Sequence, residues 1–212
     1  MSTTDVVRYR KPVTFLLVVW FVFAAAASAA GWFKAGSGPL PAPAPLGLSV
    51  VLPIVIFWIW MATSPSFRAF ALSLSPRFLT IVQSWRVMGF VFLVLAVYGL
   101  LPYTFAAPAG WGDIFIGATA PWVALNWAGD PERRGRFVFW NLLGVADLVL
   151  AVTMGVLSSD GPAGILVRNG LTSRVVTELP LSLIPTFGVP LFLILHSIVL
   201  AQGARERSMQ PA

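Results

Sequence analysis

Six apolar runs separated by short polar stretches organise the chain, at residues 13–33, 48–62, 79–101, 113–127, 137–157 and 179–202. A helix needs about 20 apolar residues to cross a hydrocarbon core of ~30 Å. The pattern therefore predicts an all-α fold, a polytopic membrane bundle of six transmembrane helices in one domain over residues 1–212. The fifth run, FVFWNLLGVADLVLAVTMGVL, carries a carboxylate, Asp147, near its middle. An aspartate at that depth costs roughly 2.5–3.5 kcal/mol, and each Leu, Val or Phe returns about 0.3–0.6 kcal/mol, so the segment still inserts. Gly144, Asp147, Ala151 and Gly155 recur at spacings of three and four and share one helix face. A stripe of small residues admits a neighbouring helix closely, which predicts that Asp147 faces protein rather than lipid. Asp113, Gly117, Ala120 and Ala124 form a similar stripe in the fourth run.

The punctuation between the runs is specific. Residues 36–46 (GSGPLPAPAPL) carry alternating prolines that favour an extended polyproline-like loop. Ser64-Pro65 reads as an N-cap with proline in the first turn, and Phe67, Phe70, Ala71, Leu74 and Phe78 then share a face. That predicts a short interfacial amphipathic helix between the second and third spans; a two-part loop broken at Pro76 is the alternative. Residues 102–112 read as a turn region, and Asp130-Pro131 as a cap plus proline opening the fifth helix. Pro180, Pro185 and Pro190 interrupt the sixth, where each removes a backbone donor. The first run, with Arg8, Arg10 and Lys11 before it and Ala27-Ser28-Ala29 near its end, also has the layout of a secretory signal. Its length favours an uncleaved helix, and the intact mass distinguishes the two. The halves of the chain show no internal repeat.

Composition narrows the class. Apolar residues make up 58% and charged residues 10% of the chain, and mean hydropathy is +0.84, whereas soluble domains carry about 25% charged residues. The formal charge of +6 is a matter of topology rather than nucleic-acid binding. With both termini cytoplasmic, eleven basic residues fall on the inner side, against Lys34, Arg168 and Arg174 outside. That bias satisfies the positive-inside rule and places a multi-pass protein in a bacterial inner membrane or a plasma membrane, with the lipid bilayer as its first partner. Trp32, Trp85, Trp111, Trp127 and Trp140 fall near expected helix ends, as interfacial anchors do.

Arg86, His196 and Asp147 lie on three different spans, about 10, 10 and 15 Å from their cytoplasmic ends at ~1.5 Å per residue. Ionisable groups at such depth pair or line a wet cavity, so an Arg86–Asp147–His196 cluster is expected, with Asn141 as a hydrogen-bonding neighbour. A carboxylate and an imidazole suit a proton path, and Arg86 would hold Asp147 ionised or bind an anionic group. A buried ion pair fixing helix register is the structural alternative. Asp113 and Glu178, opening the fourth and sixth helices, complement positive helix ends and, with Arg174, would form an outer vestibule. With one His, no Cys and scattered carboxylates, no metal or other cofactor is expected, and no phosphate-loop, dinucleotide, nucleophile-elbow or zincin motif occurs. The leading expectation is movement of a small solute or proton through this buried polar site. The alternatives are a non-catalytic assembly or scaffold subunit, including a homo-oligomer, and an intramembrane enzyme acting on lipid or quinone.

Overall fold

The computed structural model describes residues 3–34, 43–167 and 169–208, and all the regular elements among them are helical. Most of the expected polyproline-like loop and Arg168 lie outside the described residues. Eight α-helices follow in order: α1 (Thr3–Ala29), α2 (Ala44–Thr63), α3 (Pro65–Leu72), α4 (Pro76–Val82), α5 (Phe90–Val97), α6 (Tyr103–Asn126), α7 (Arg134–Leu157) and α8 (Val189–Ser208). Five segments are long and apolar enough to cross a membrane: Tyr9–Ala29, Ala44–Thr63, Pro76–Val97, Arg134–Leu157 and Ile184–Arg205. These apolar helices point to a membrane location. They correspond to five of the six expected runs, with ends displaced by a few residues.

The expected fourth span differs most. Residues 102–112 are not a turn region, because α6 starts at Tyr103 and runs for 24 residues with Pro108 and Pro121 inside it. Its prolines and glycines read locally as irregular, and its many small residues leave it less apolar than the other five. Packing nevertheless overrides that local preference. α6 is the central helix, held against the Pro76–Val97 segment on one side and α7 on the other, while α7 packs on α8 and α8 on α2. Ala106, Ala109, Ala120 and Ala124 are all buried along it. At Gly117 an added Cβ would collide with the backbone of Val87, so the two segments touch backbone to backbone.

The Pro76–Val97 segment is not uniformly α-helical. Residues Gln83–Gly89 wind as a 3-10 helix between α4 and α5, a longer stretch than this tighter winding usually sustains. The sixth apolar run is irregular at its start. Pro180 precedes the helix, residues Ile184–Gly188 form a π turn around Pro185, and α8 begins at Val189. Trp20 on α1 donates through Nε1 to the carbonyl of Thr186 in that turn at 3.2 Å and packs on Phe187 at 4.8 Å between ring centroids. A side chain from a neighbouring helix thus serves backbone that regular winding leaves open, as irregular backbone at membrane depth requires.

The Ser64 cap forms as the sequence predicts: its hydroxyl accepts from the Phe67 amide at 3.3 Å. The amphipathic helix it starts ends at Leu72, however, and Ser75 caps a new helix through the Phe78 amide. The apolar face of α3 turns into the protein, where Phe67 stacks on Trp60 at 3.8 Å and Tyr9 donates to, or accepts from, Ser66 at 2.8 Å. Phe78 faces outward. Asp130-Pro131 forms a turn ahead of α7, with Asp130 accepting from the Glu132 amide, and the helix itself starts at Arg134 without a side-chain cap. Nor do all the tryptophans sit at helix ends. Trp85 and Trp111 point outward from within their segments, and Trp140 is buried, its Nε1 donating to Thr119 Oγ1 at 3.0 Å.

Candidate functional site

The 3-10 stretch sets Arg86 in the middle of the bundle, where its side chain has no exposed surface. Every face of its guanidinium is engaged. Nε donates to Asp113 Oδ1 at 2.8 Å, Nη2 donates to Asp147 Oδ2, and Nη1 donates to the Gly144 carbonyl at 3.2 Å and lies 3.3 Å from His196 Nε2. Arginine cannot accept a hydrogen bond, so Nε2 is the acceptor and the His196 ring carries its proton on Nδ1. Nδ1 donates in turn to Asn141 Oδ1 at 2.9 Å, and Asn141 Nδ2 donates to the Phe137 carbonyl at 2.8 Å. The chain Asn141–His196–Arg86 is a rigid mount, and Trp140 closes it with its ring 5.7 Å from the imidazole.

The structure therefore brings Arg86, Asp147, His196 and Asn141 together, and adds a member that the sequence assigns elsewhere. Asp113 does not open a helix. It lies within α6, about 15 Å from the start of that helix at ~1.5 Å per residue, level with Asp147 on α7. The earlier start of α6 is the cause, since it moves Asp113 from a helix end to a helix centre. Glu178 also fails to open a helix; it follows the Ser173–Thr177 turn and meets Lys34 at 3.8 Å at the half-exposed surface. Arg174 is exposed in the same turn.

Small residues make the cluster possible. A Cβ on Gly144 would strike the His196 ring, and one on Gly112 would take the place of the Asp147 carboxylate. The stripes read from the sequence face inward at Gly144 and, against the Val87 backbone, at Gly117, while Gly112 beside the second stripe adds a further close approach.

Two carboxylates around one guanidinium create an asymmetry. The Arg86 side chain is sealed, while those of Asp113 and Asp147 each keep about a tenth of their surface exposed (10% and 11%). A cavity of about 90 Å³ extends from the exposed loop residues Asp160 and Arg174 down to Asp113. Its wall is largely apolar, with Phe92, Phe105, Leu148 and Val152 among the lining residues. Of the residues expected at an outer vestibule, Arg174 and Asp113 line this cavity and Glu178 does not, and Arg86 is not among the lining residues. Among the described residues, no group of three or more His, Cys, Asp or Glu side chains is arranged to hold a metal ion.

No curated protein matches this sequence, and no solved structure matches it. A family model described as a domain of unknown function, DUF8737, matches residues 43–202, well over half of the chain, from the turn before α2 to the last part of α8. The chain belongs to the DUF8737 family, and the whole Arg86 cluster lies within the matched region.

Proposed function

We propose that this is a multi-pass membrane protein that moves a small solute or proton along a path through the Arg86–Asp113–Asp147 site. The observation that carries the reading is the meeting of an apolar-walled cavity with a buried carboxylate, Asp113, whose guanidinium partner is inaccessible. Intramembrane ionisable groups are costly and belong by default to substrate or ion pathways. Here the two carboxylates are the reacting surface, and Arg86, His196 and Asn141 hold them in place. In this reading α6 is the sixth span. Its 24 residues reach about 36 Å, and its polar content is shielded by its neighbours. The arginine-rich end of the bundle, with Arg68, Arg77, Arg133, Arg134 and Arg136, lies on the cytoplasmic side and α3 lies at that interface. The loop bearing Arg174 is outside.

Two other readings find less support. An assembly subunit that used its small-residue stripes to bind a partner or a second copy would expose them, and here Gly117, Ala120, Ala124 and Gly144 are buried or occupied by contacts within the chain. An intramembrane enzyme with His196 as acid or base needs an opening beside the ring, and His196 is buried (1% exposed) with both nitrogens engaged. The decisive measurement is flux in proteoliposomes, by pH-sensitive dye for protons and by counterflow for small solutes. Wild-type protein should give protein-dependent flux, and Asp147→Asn should abolish it while the protein still folds. Flux equal in wild type and variant removes the proposal.

A further inference from the structure

The chemistry of the outer cavity selects the kind of solute it takes. Its floor is the Asp113 side chain, which is nine-tenths buried overall. Oδ1 accepts from Arg86 Nε, and Oδ2 lies against Gly89, where an added Cβ would come within 2.8 Å of it. An anion arriving here meets that carboxylate and has no route to the guanidinium behind it, whose side chain is wholly enclosed. Of the two roles the sequence offers Arg86, this geometry favours holding Asp147 over binding an anionic group. A cation meets the reverse situation. One guanidinium stands against two carboxylates, so with both ionised the centre holds one uncompensated negative charge, which is costly away from water. The wall adds a second preference. Phe92 and Phe105, with ring centroids 5.4 Å apart, line the cavity beside Leu148 and Val152. Aliphatic and aromatic walls favour an alkyl body, and aromatic rings attract cations held near their faces. At about 90 Å³, the space is smaller than the roughly 150 Å³ apolar cavity that accepts benzene, so the body is limited to a few heavy atoms.

We propose that the outer cavity binds a small alkylammonium cation, its charged head on the Asp113 carboxylate and its alkyl body among Phe92, Phe105 and Leu148. This rests on the pathway reading for its meaning, since it names the solute class of that path, but it is tested by binding alone.

The test uses three molecules with one body and three heads: tert-butylammonium, tert-butanol and pivalate. Each is titrated at constant ionic strength against the full-length protein in detergent, with thermal unfolding as the readout. Tert-butylammonium should raise Tm in a saturable way, tert-butanol should do so less, and pivalate should not. Asp113→Asn should weaken the ammonium response by about tenfold or more, the scale of one charge-assisted contact. Gly47→Phe provides a variant that leaves the cluster intact. Gly47 lines the cavity, and a Cβ there meets nothing within 4 Å, so a larger side chain starts without a clash and should narrow the cavity, weakening the ammonium response without lowering the basal Tm. A pivalate response as strong as that of the ammonium, or an ammonium response unchanged in Gly47→Phe, overturns the proposal. Ammonium binding without flux in proteoliposomes leaves the cation site standing and removes the pathway reading. Flux of another solute without ammonium binding does the opposite.

Discussion

Gly112 on α6 and Asp147 on α7 stand so close that a methyl group on the glycine would overlap the carboxylate. The contact fixes how near the two helices approach, and with it the reach of Arg86 to both acids. Gly112→Ala should therefore push Asp147 off the guanidinium and cost about 1–3 kcal/mol, the usual cost of overpacking a filled site. Thermal unfolding in detergent checks the stability. The ammonium response reports the site separately, and loss of Tm with the response intact would show that the carboxylate has another way to seat.

Arg86 should be the least replaceable side chain in the protein. Arg86→Leu leaves Asp113 and Asp147 facing each other without their cation, and removing one member of a buried ionic group typically costs about 3–5 kcal/mol. Arg86→Lys should recover little. An ammonium lacks the planar fork that reaches Asp113, Asp147, Gly144 and His196 together. A lysine variant as stable as the wild type would mean that charge alone, not geometry, matters here. Unfolding midpoints of the two variants make the comparison.

Much of this cluster was legible from the sequence, and the part that was not has an identifiable cause. Arg86, Asp147 and His196 stand at similar depths in clearly apolar runs, with Asn141 nearer the cytoplasmic end, so helix rise alone brings them together. Asp113 reads as a helix opener because Pro102, Pro108, Gly110 and Gly112 stand just before it, and proline and glycine are the weakest helix formers. What makes that stretch helical is the packing of Phe105, Ala106 and Ala109 against neighbouring segments, a tertiary effect with no local signature. Trp140 is a second case. Its position near a helix start reads as an interfacial anchor, while the hydrogen bond to Thr119 on a different helix, which keeps it inside, is not visible along the chain.

The link from α1 to the π turn can be tested without touching the ionic cluster. Trp20→Phe keeps an aromatic ring against Phe187 and removes the donor to the Thr186 carbonyl. The loss should be about 1 kcal/mol, the ordinary net value of one hydrogen bond. Hydrogen exchange should rise locally over residues 184–188. If only the amides of α1 respond, the turn does not depend on this tether.

Topology is open to a direct experiment because the chain has no cysteine. Single substitutions Asp160→Cys and Arg136→Cys place a thiol at opposite ends of the bundle. A membrane-impermeant maleimide applied to intact cells should label the first and not the second, and permeabilisation should expose both. The reversed pattern would invert the proposed orientation.

The tight winding of residues Gln83–Gly89 sets a phase as well as a shape. At three residues per turn, side chains three apart eclipse, so Gln83, Arg86 and Gly89 stand in one column, and all three are buried. Ordinary α winding advances about 100° per residue, which would fan Gln83 and Gly89 about 60° to either side of Arg86. It would also shorten the stretch by about 3.5 Å, from the difference between ~2.0 and ~1.5 Å of rise. The segment is thus a screw whose thread pitch decides where its one cation points, and unwinding it by a single notch would turn Arg86 out of register with both acids together.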